Sequence, residues 1–286
     1  MVAEILDILA PKPGETAVDC TLGHGGHARR ILERLAPGGH LIGLDVDPFE
    51  LPRTESALRL EGFGPDIFSA YKSNYAGISA ALNAHGYAEA DLVLADLGVS
   101  SMQLDNPLRG FSNKRSGPLD MRLNPNRGLT AAQWLERTTT EKLFETLLEN
   151  ADEPHAAALA SALAGKSLAL TSDLTSAIRD VLKARPTEDQ DKSVRRTFQA
   201  IRIAVNEEFT ALEAFLRALP TTLNEGGRVA ILTFHSGEDR RVKKHFQAGF
   251  RDGLYKKIAL DVIRPSAEEC RANPRATSAK LRWACK

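Results

Sequence analysis

The chain has 286 residues, 43% of them hydrophobic and 26% charged, a composition that supports one large core with room for a smaller satellite domain. Its three cysteines, Cys20, Cys270 and Cys285, make no C-x-x-C pair, which argues against a disulfide framework or a structural zinc site and for a reducing, cytoplasmic setting. The net charge is zero, yet residues 240–286 carry thirteen Lys or Arg against four Asp or Glu, so either a polyanionic partner lies near that segment or the charges balance in three dimensions.

The chain opens on an amphipathic segment, "MVAEILDILAPKPGE", that carries acids and no basic n-region. No secretory signal is expected, and no apolar run is long enough to span a membrane. Residues 16–21, "TAVDCT", read as a buried strand that ends before Gly23, and 28–36, "ARRILERLA", as a helix. Strands follow at 40–47, 66–73 and 90–98, with a helix over 75–86 between the last two. Residues 227–236, "GRVAILTFHS", form a fifth strand. Such alternation specifies a parallel sheet covered on both faces. Two late runs, 256–263 and 278–285, have no room for a crossover helix between them and suit an antiparallel pair.

Between Ser101 and Arg228 lie 126 residues where one helix would suffice. The stretch carries several helical patterns, with Thr138 and Glu141 in capping-box spacing before one of them. Residues 108–205 are therefore expected to be an inserted all-helical domain, flanked by a discontinuous α/β domain of 1–107 and 206–286. The helix at 206–219 leads back to the sheet.

"DCTLGHGGHA" (19–28) sits between a strand and a helix. Glycines there let a ligand approach the backbone and the helix N-terminus. "GHGGHA" fits G-x-G-x-x-A, and Asp45 ends the second strand twenty-two residues after Gly23, where an acid accepts ribose hydroxyls. An adenosine-type cofactor is expected. His24 and His27 lack the company a metal site needs, so no metal is expected. Three features favour S-adenosylmethionine over NAD. Asp19 would repel a pyrophosphate but suits a cation. Asp96 ends the fourth strand at the sheet edge where ligands bind. The antiparallel terminal strands resemble the methyltransferase variant of this sheet.

The blocks "DCTLGHGGHA", "GLDVDP", "ADLGVSSMQLD", "RGFSN…SGPLDMR", "RTFQAIRIAVNEE" and "LTFHSGEDRRVKKHF" occur in this order. Together they closely resemble the MraW/RsmH family over nearly the whole chain. That resemblance implies a Rossmann-like class I S-adenosylmethionine-dependent methyltransferase sheet with an inserted helical domain. It also implies an activity: methylation of the N4 amine of a cytidine in the decoding centre of 16S ribosomal RNA, in the small ribosomal subunit. By motif the cofactor contacts fall on Gly25, Gly26, His27, Asp45, Tyr75, Asp96 and Gln103, with Tyr75 where the family usually has Phe. Gly237 stands where leucine is usual, and "NADEP" (150–154) where the family has a Y-G-E-E-like run. The family's His-x-Pro-Val ordinarily lies just before the first helix, and this chain begins immediately after that point.

The reaction expected is an in-line displacement of a sulfonium methyl by an exocyclic amine. Asp96 is the candidate to hold an amine N–H, or alternatively to bind only the cofactor's ammonium group. His235 is either a wall of the base pocket or structural. Strand four offers no cysteine for carbon-5 methylation, and the zinc deaminase signature is absent. Arg240, Arg241, Lys243 and Lys244, with Lys256 and Lys257, form one candidate RNA surface. Arg195 and Arg196 form another, beside Phe198, which either stacks on a base or packs in a core. The alternatives are an NAD-dependent oxidoreductase and a non-catalytic RNA-binding assembly protein. A homodimer is left open.

Overall fold

The computed structural model describes residues 1–286. They form two compact units, Met1–Gly98 with Phe209–Lys286, and Val99–Glu208. The first begins with α1 (Val2–Leu9), β1 (Thr16–Asp19), α2 (Gly26–Leu35), β2 (His40–Asp45), α3 (Glu50–Leu60), β3 (Phe68–Lys72), α4 (Ile78–Ala84) and β4 (Ala90–Asp96). The second holds α5 (Ser101–Asp105), α6 (Ala131–Arg137), α7 (Thr140–Ala151), α8 (Ala156–Leu163), α9 (Thr171–Val181) and α10 (Thr187–Val205). Then come α11 (Glu208–Thr222), β5 (Leu223–Thr233), α12 (Ser236–Arg251), β6 (Lys257–Ile258), α13 (Ala267–Ala272) and β7 (Lys280–Cys285). No helix is long and apolar enough to cross a membrane.

The seven strands make one sheet in the order β3-β2-β1-β4-β5-β7-β6. β1 to β5 run parallel, and β7 is antiparallel to both β5 and β6. From β1 the chain winds outward through β2 to β3, then returns to the other side of β1 as β4. The strand order therefore reverses between β1 and β4. The crevice at the carboxyl ends of those strands is where a ligand finds open backbone groups and helix N-termini.

Successive strand residues point to opposite faces, and both faces are buried. Val18, Ile42, Leu44, Val93, Ala95, Val229 and Ile231 enter one core, filled from α4, α11 and α12 by Ile78, Leu82, Leu212, Phe215, Val242 and Phe246. Ala17, Leu41, Leu92, Leu94, Ala230 and Leu232 enter the other, filled from α1, α2 and α3 by Ile5, Leu9, Ile31, Leu32, Leu35 and Leu58. This two-sided burial is why the strands read as continuous apolar runs. Two arginines brace the frame. Arg228 binds Glu15 at 2.8 Å and the Leu9 carbonyl, and Arg282, only 6% exposed, forms an ion pair with Asp239 at 2.6 Å.

The second unit has its own core, with Leu143, Leu147, Leu159, Leu163, Leu174, Ile178, Val194, Phe198 and Ile201 at its centre. It runs from Val99 to Glu208, and Val99 and Leu104 pack on this core. Asn206 ties it together: its side-chain Oδ1 accepts from Leu123 N–H at 2.7 Å, and its Nδ2 donates to Met121 O at 2.8 Å. Arg122 is paired with Asp120 and Arg202 with Glu208. In the 150–154 stretch, the Asn150 amide donates to Ala200 O at 3.1 Å, and the buried Glu153 accepts from Ser193 at 2.9 Å.

Two local expectations are corrected. α7 is capped by Thr139, whose hydroxyl accepts from Lys142 N–H at 3.2 Å, not by a Thr138–Glu141 box. Thr138 instead ends α6. The 256–263 run pairs only at Lys257–Ile258 and again through an isolated bridge at Ile263. Of the two roles open to Phe198, the core one holds: it is 6% exposed and packs in the second unit's core.

Burial alone would raise the Asp239 carboxyl, but the adjoining Arg282 and Lys280 hold it below its ordinary 3.8. The stabilisation it provides is therefore present above that value and is lost as acid titrates the carboxylate. Asp239→Ala strands a buried arginine and is expected to cost about 3–5 kcal/mol in chemical denaturation at neutral pH. The deficit shrinks well below the ordinary carboxyl value, where the wild-type pair is broken as well.

Candidate active site

Past Asp19 the chain threads between two neighbouring strands. Cys20 N–H donates to Leu94 O of β4 and Leu22 N–H to Leu44 O of β2, both at 2.8 Å. Gly25 N–H then closes a turn onto Leu22 O at 2.7 Å. Gly25 is the N-cap of α2 with φ at 70°, and a Cβ there would also press on Thr54 and Leu58 at 3.1 and 3.3 Å. Gly26 is different. It is the first residue of α2, has no positive φ, and a Cβ on it would meet nothing within 4 Å. The protein's own packing does not require glycine there, whereas a ligand lying against the helix N-terminus would.

Asp45, at the end of β2, accepts from Gly23 N–H and Asp47 N–H, each at 2.9 Å. Burial raises its pKa, and those two backbone donors partly oppose the rise. Each oxygen keeps a lone pair for a hydroxyl. Asp45 O also accepts from Ser73 N–H at 3.1 Å, which fixes the segment leading to Tyr75. The Tyr75 ring lies 5.7 Å from that of Phe215, partly buried on the core.

At the neighbouring strand ends, His27 Nε2 lies 3.6 Å from Asp96 Oδ2. His27 Nδ1 and Asp96 Oδ1 are both buried without a hydrogen-bond partner. Burial works against a charged imidazole, but Asp96 and then Asp19 outweigh it, so the His27 pKa is raised. Asp19 is 1% exposed and accepts from Thr21 N–H at 3.1 Å. The Thr21 hydroxyl accepts from Asp96 N–H at 2.7 Å. The arrangement offers a carboxylate for ribose hydroxyls, an open glycine at a helix N-terminus, and two orphaned polar atoms beside a net negative floor. That set fits a cationic nucleoside better than a pyrophosphate.

Gln103 belongs to the second unit and is 7% exposed. Its side-chain oxygen accepts from Ser100 N–H at 2.9 Å in the capping box that starts α5. His24 is exposed. His235 caps α12, its Nδ1 accepting from Glu238 N–H at 3.4 Å, and its ring lies 5.7 Å from Phe209. A Cβ at Gly237 would stand 2.6 Å from the Phe209 ring, so the leucine usual at this point has no room. Arg241 stacks on the same ring at 3.6 Å and pairs with Glu213 at 3.0 Å. Arg240, Lys243 and Lys244 lie on the exposed side of α12. Arg195 is exposed and Arg196 half-buried on α10, and Lys256 pairs with Glu225 at 2.7 Å. Thr21 carries no sequence signal beyond a hydroxyl beside an acid.

The family model described as "MraW methylase family" matches residues 1–286. The chain belongs to that family. Within the MraW methylases it is 52% identical to "Ribosomal RNA small subunit methyltransferase H 2" of Alkaliphilus metalliredigens, over 100% of this chain and 84% of the relative. It is 49% identical to the H 1 protein of Lachnoclostridium phytofermentans, over 100% and 80% of the two chains. The H protein of Burkholderia vietnamiensis is 39% identical over 99% and 95%. Among solved structures, TrmN from Thermus thermophilus is similar at 14% identity, with 100% of this chain, 48% of that one and a TM-score of 0.46.

In this MraW methylase, burial lifts the Asp19 carboxyl from 3.8 to about 6, against the opposing pull of His27 and of Thr21 N–H. A raised folded-state value means that the contribution of Asp19 to stability is full below 3.8 and is lost as pH rises through about 6. Asp19→Asn stays neutral and can still accept from Thr21. It is expected to stabilise the free protein at neutral pH by on the order of 2 kcal/mol. In thermal melts the variant's advantage over the wild type should be present at neutral pH, shrink as pH falls through about 6 and be gone below 3.8, where the wild-type carboxyl is protonated as well.

Proposed function

We propose that the chain is an S-adenosylmethionine-dependent methyltransferase that methylates the N4 amine of a cytidine in the decoding centre of 16S ribosomal RNA, within the small ribosomal subunit. The observation that carries this reading is a convergence at the sheet's switch point. The glycine turn, the Asp45 carboxylate and the His27–Asp96 pair all stand at the carboxyl ends of β1, β2 and β4. The relatives' names support ribosomal RNA as the substrate, and the motif blocks support N4 of cytidine.

When bound, S-adenosylmethionine supplies an activated methyl group on a sulfonium. Asp45 would hold its ribose hydroxyls, and Gly25 and Gly26 would let it lie close to the start of α2. Tyr75 would cover the adenine, and Gln103 is a further contact proposed from the motif alone. The buried negative charge of Asp19 suits the cationic end and disfavours NAD. Asp96 is the acceptor proposed for the cytidine amine. That amine is a poor nucleophile because its lone pair is delocalised into the ring. A carboxylate that accepts one N–H localises the pair and stabilises the charge that develops as the methyl is transferred. The rest of the acceleration is alignment of amine and methyl carbon.

A cytidine must be unstacked to reach this depth, and phosphate contacts then hold its register. Arg195, Arg196, Arg240, Lys243 and Lys244 are the proposed contacts. Arg241 is a weaker one, because its charge is already shared between Glu213 and the Phe209 ring.

Three measurements test the reading. Gly26→Ala meets no protein atom, so its melting temperature should hold while the affinity for S-adenosylmethionine in calorimetry drops about tenfold or more. Asp96→Ala should abolish transfer of labelled methyl to small ribosomal subunits. RNA affinity in filter binding should fall by about 10²-fold between roughly 50 and 200 mM salt. A calorimetric preference for NAD would overturn the proposal.

A further inference from the structure

We infer that Thr21 is a positioning residue for the methyl-accepting site, setting where Asp96 stands; this rests on the function proposed above. The argument begins with the ladder. β1 and β4 pair in parallel as far as Asp19 opposite Leu94, and Cys20 N–H still donates to Leu94 O. In a continuing parallel pair the next inward N–H of β4, that of Asp96, would donate to a β1 carbonyl. β1 has ended at Asp19, and the chain is already turning toward the glycines. The Thr21 side chain fills the gap, and its hydroxyl accepts the Asp96 N–H at 2.7 Å.

The same hydroxyl is 3.5 Å from Asp19 Oδ1, and Thr21 N–H donates to that oxygen at 3.1 Å. With one lone pair committed to Asp96, the hydroxyl proton is directed to the buried Asp19 carboxylate. Acceptor and donor roles are thereby fixed, and the β-branched side chain restricts rotation about χ1. Asp96 is thus anchored twice. Its backbone is held by Thr21, and its Oδ2 lies 3.6 Å from His27 Nε2. Its Oδ1 is left buried without a partner. Under the proposed function, that oxygen is the one that receives the amine. Thr21 touches neither methyl donor nor acceptor in this scheme; it acts through Asp96.

The test compares Thr21→Val, which keeps the shape and removes the hydroxyl, with Thr21→Ser, which keeps the hydroxyl. Single-turnover methyl transfer to small ribosomal subunits is measured beside calorimetric affinity for S-adenosylmethionine and the melting temperature. Thr21→Val is expected to slow transfer about tenfold or more while cofactor affinity changes less than about threefold, and Thr21→Ser to recover most of the rate. Transfer by Thr21→Val within about twofold of wild type overturns the inference. So does a Thr21→Ser rate as slow as that of Thr21→Val, or a rate loss that only follows lost cofactor binding or lost folded protein. Wild-type protein that transfers no methyl overturns the function itself, and so is distinguishable from failure of the Thr21 role alone.

Discussion

Where β1 stops and β4 continues, backbone groups that a sheet would normally satisfy are left to side chains, and the polar architecture of the crevice follows from that mismatch. Asp19 is drawn inside by Thr21, Thr21 completes the last rung for Asp96, and His27 stands over the resulting pair of acids. Each of these groups is costly to bury alone. Together with Asp45 they give one sheet edge three carboxylates and one imidazole. The proton affinity of that imidazole is raised by its neighbours against the effect of burial. A negative, partly desolvated floor of this kind favours a cation that brings its own hydrogen-bond donors.

The strands were legible in the sequence because both sheet faces are covered. The strand interiors 41–44 and 92–95, "LIGL" and "LVLA", carry no polar side chain and run into Asp45 and Asp96. The antiparallel edge was legible from the missing crossover. Helices were less so where their buried stripe is thin. α12 inserts Val242 and Phe246 between many charged residues and reads as a basic surface rather than a helix. The 256–263 run has strand composition, yet its pairing lapses after Ile258. In the site, the glycine turn and Asp45 were legible because they are local patterns. The Thr21–Asp96 contact joins residues 75 apart in sequence. Such a contact comes from strand order, which no local period encodes.

Several signature blocks of the chain are framework. Asn206 of the "NEE" block clamps the backbone around Met121, where φ is 61°, and Arg109 donates to the carbonyls of Arg122 and Leu123 at 3.0 and 2.9 Å. Gln103 starts a helix with its side-chain oxygen. These blocks fix one another inside the second unit, so a substitution in any of them acts first on local geometry. The Gly237–Phe209–Arg241 stack makes the same point in the first unit. One absent side chain admits an aromatic ring, and the ring takes up a cation that the sequence alone would assign to RNA.

The two units also differ in how the polypeptide reaches them. The helical unit is a single unbroken stretch, 99–208, whose contacts are mostly between neighbouring helices. The sheet is split by it, and β4 must find β5 across the whole excursion before β7 can add beyond β5. Loop closure of that length is slow compared with helix association. On the ribosome, α5 to α10 are synthesised before the strands that complete the sheet emerge. The nascent chain therefore carries an unfinished parallel edge at β4 until its last quarter is made, which is the interval in which it most needs protection from aggregation.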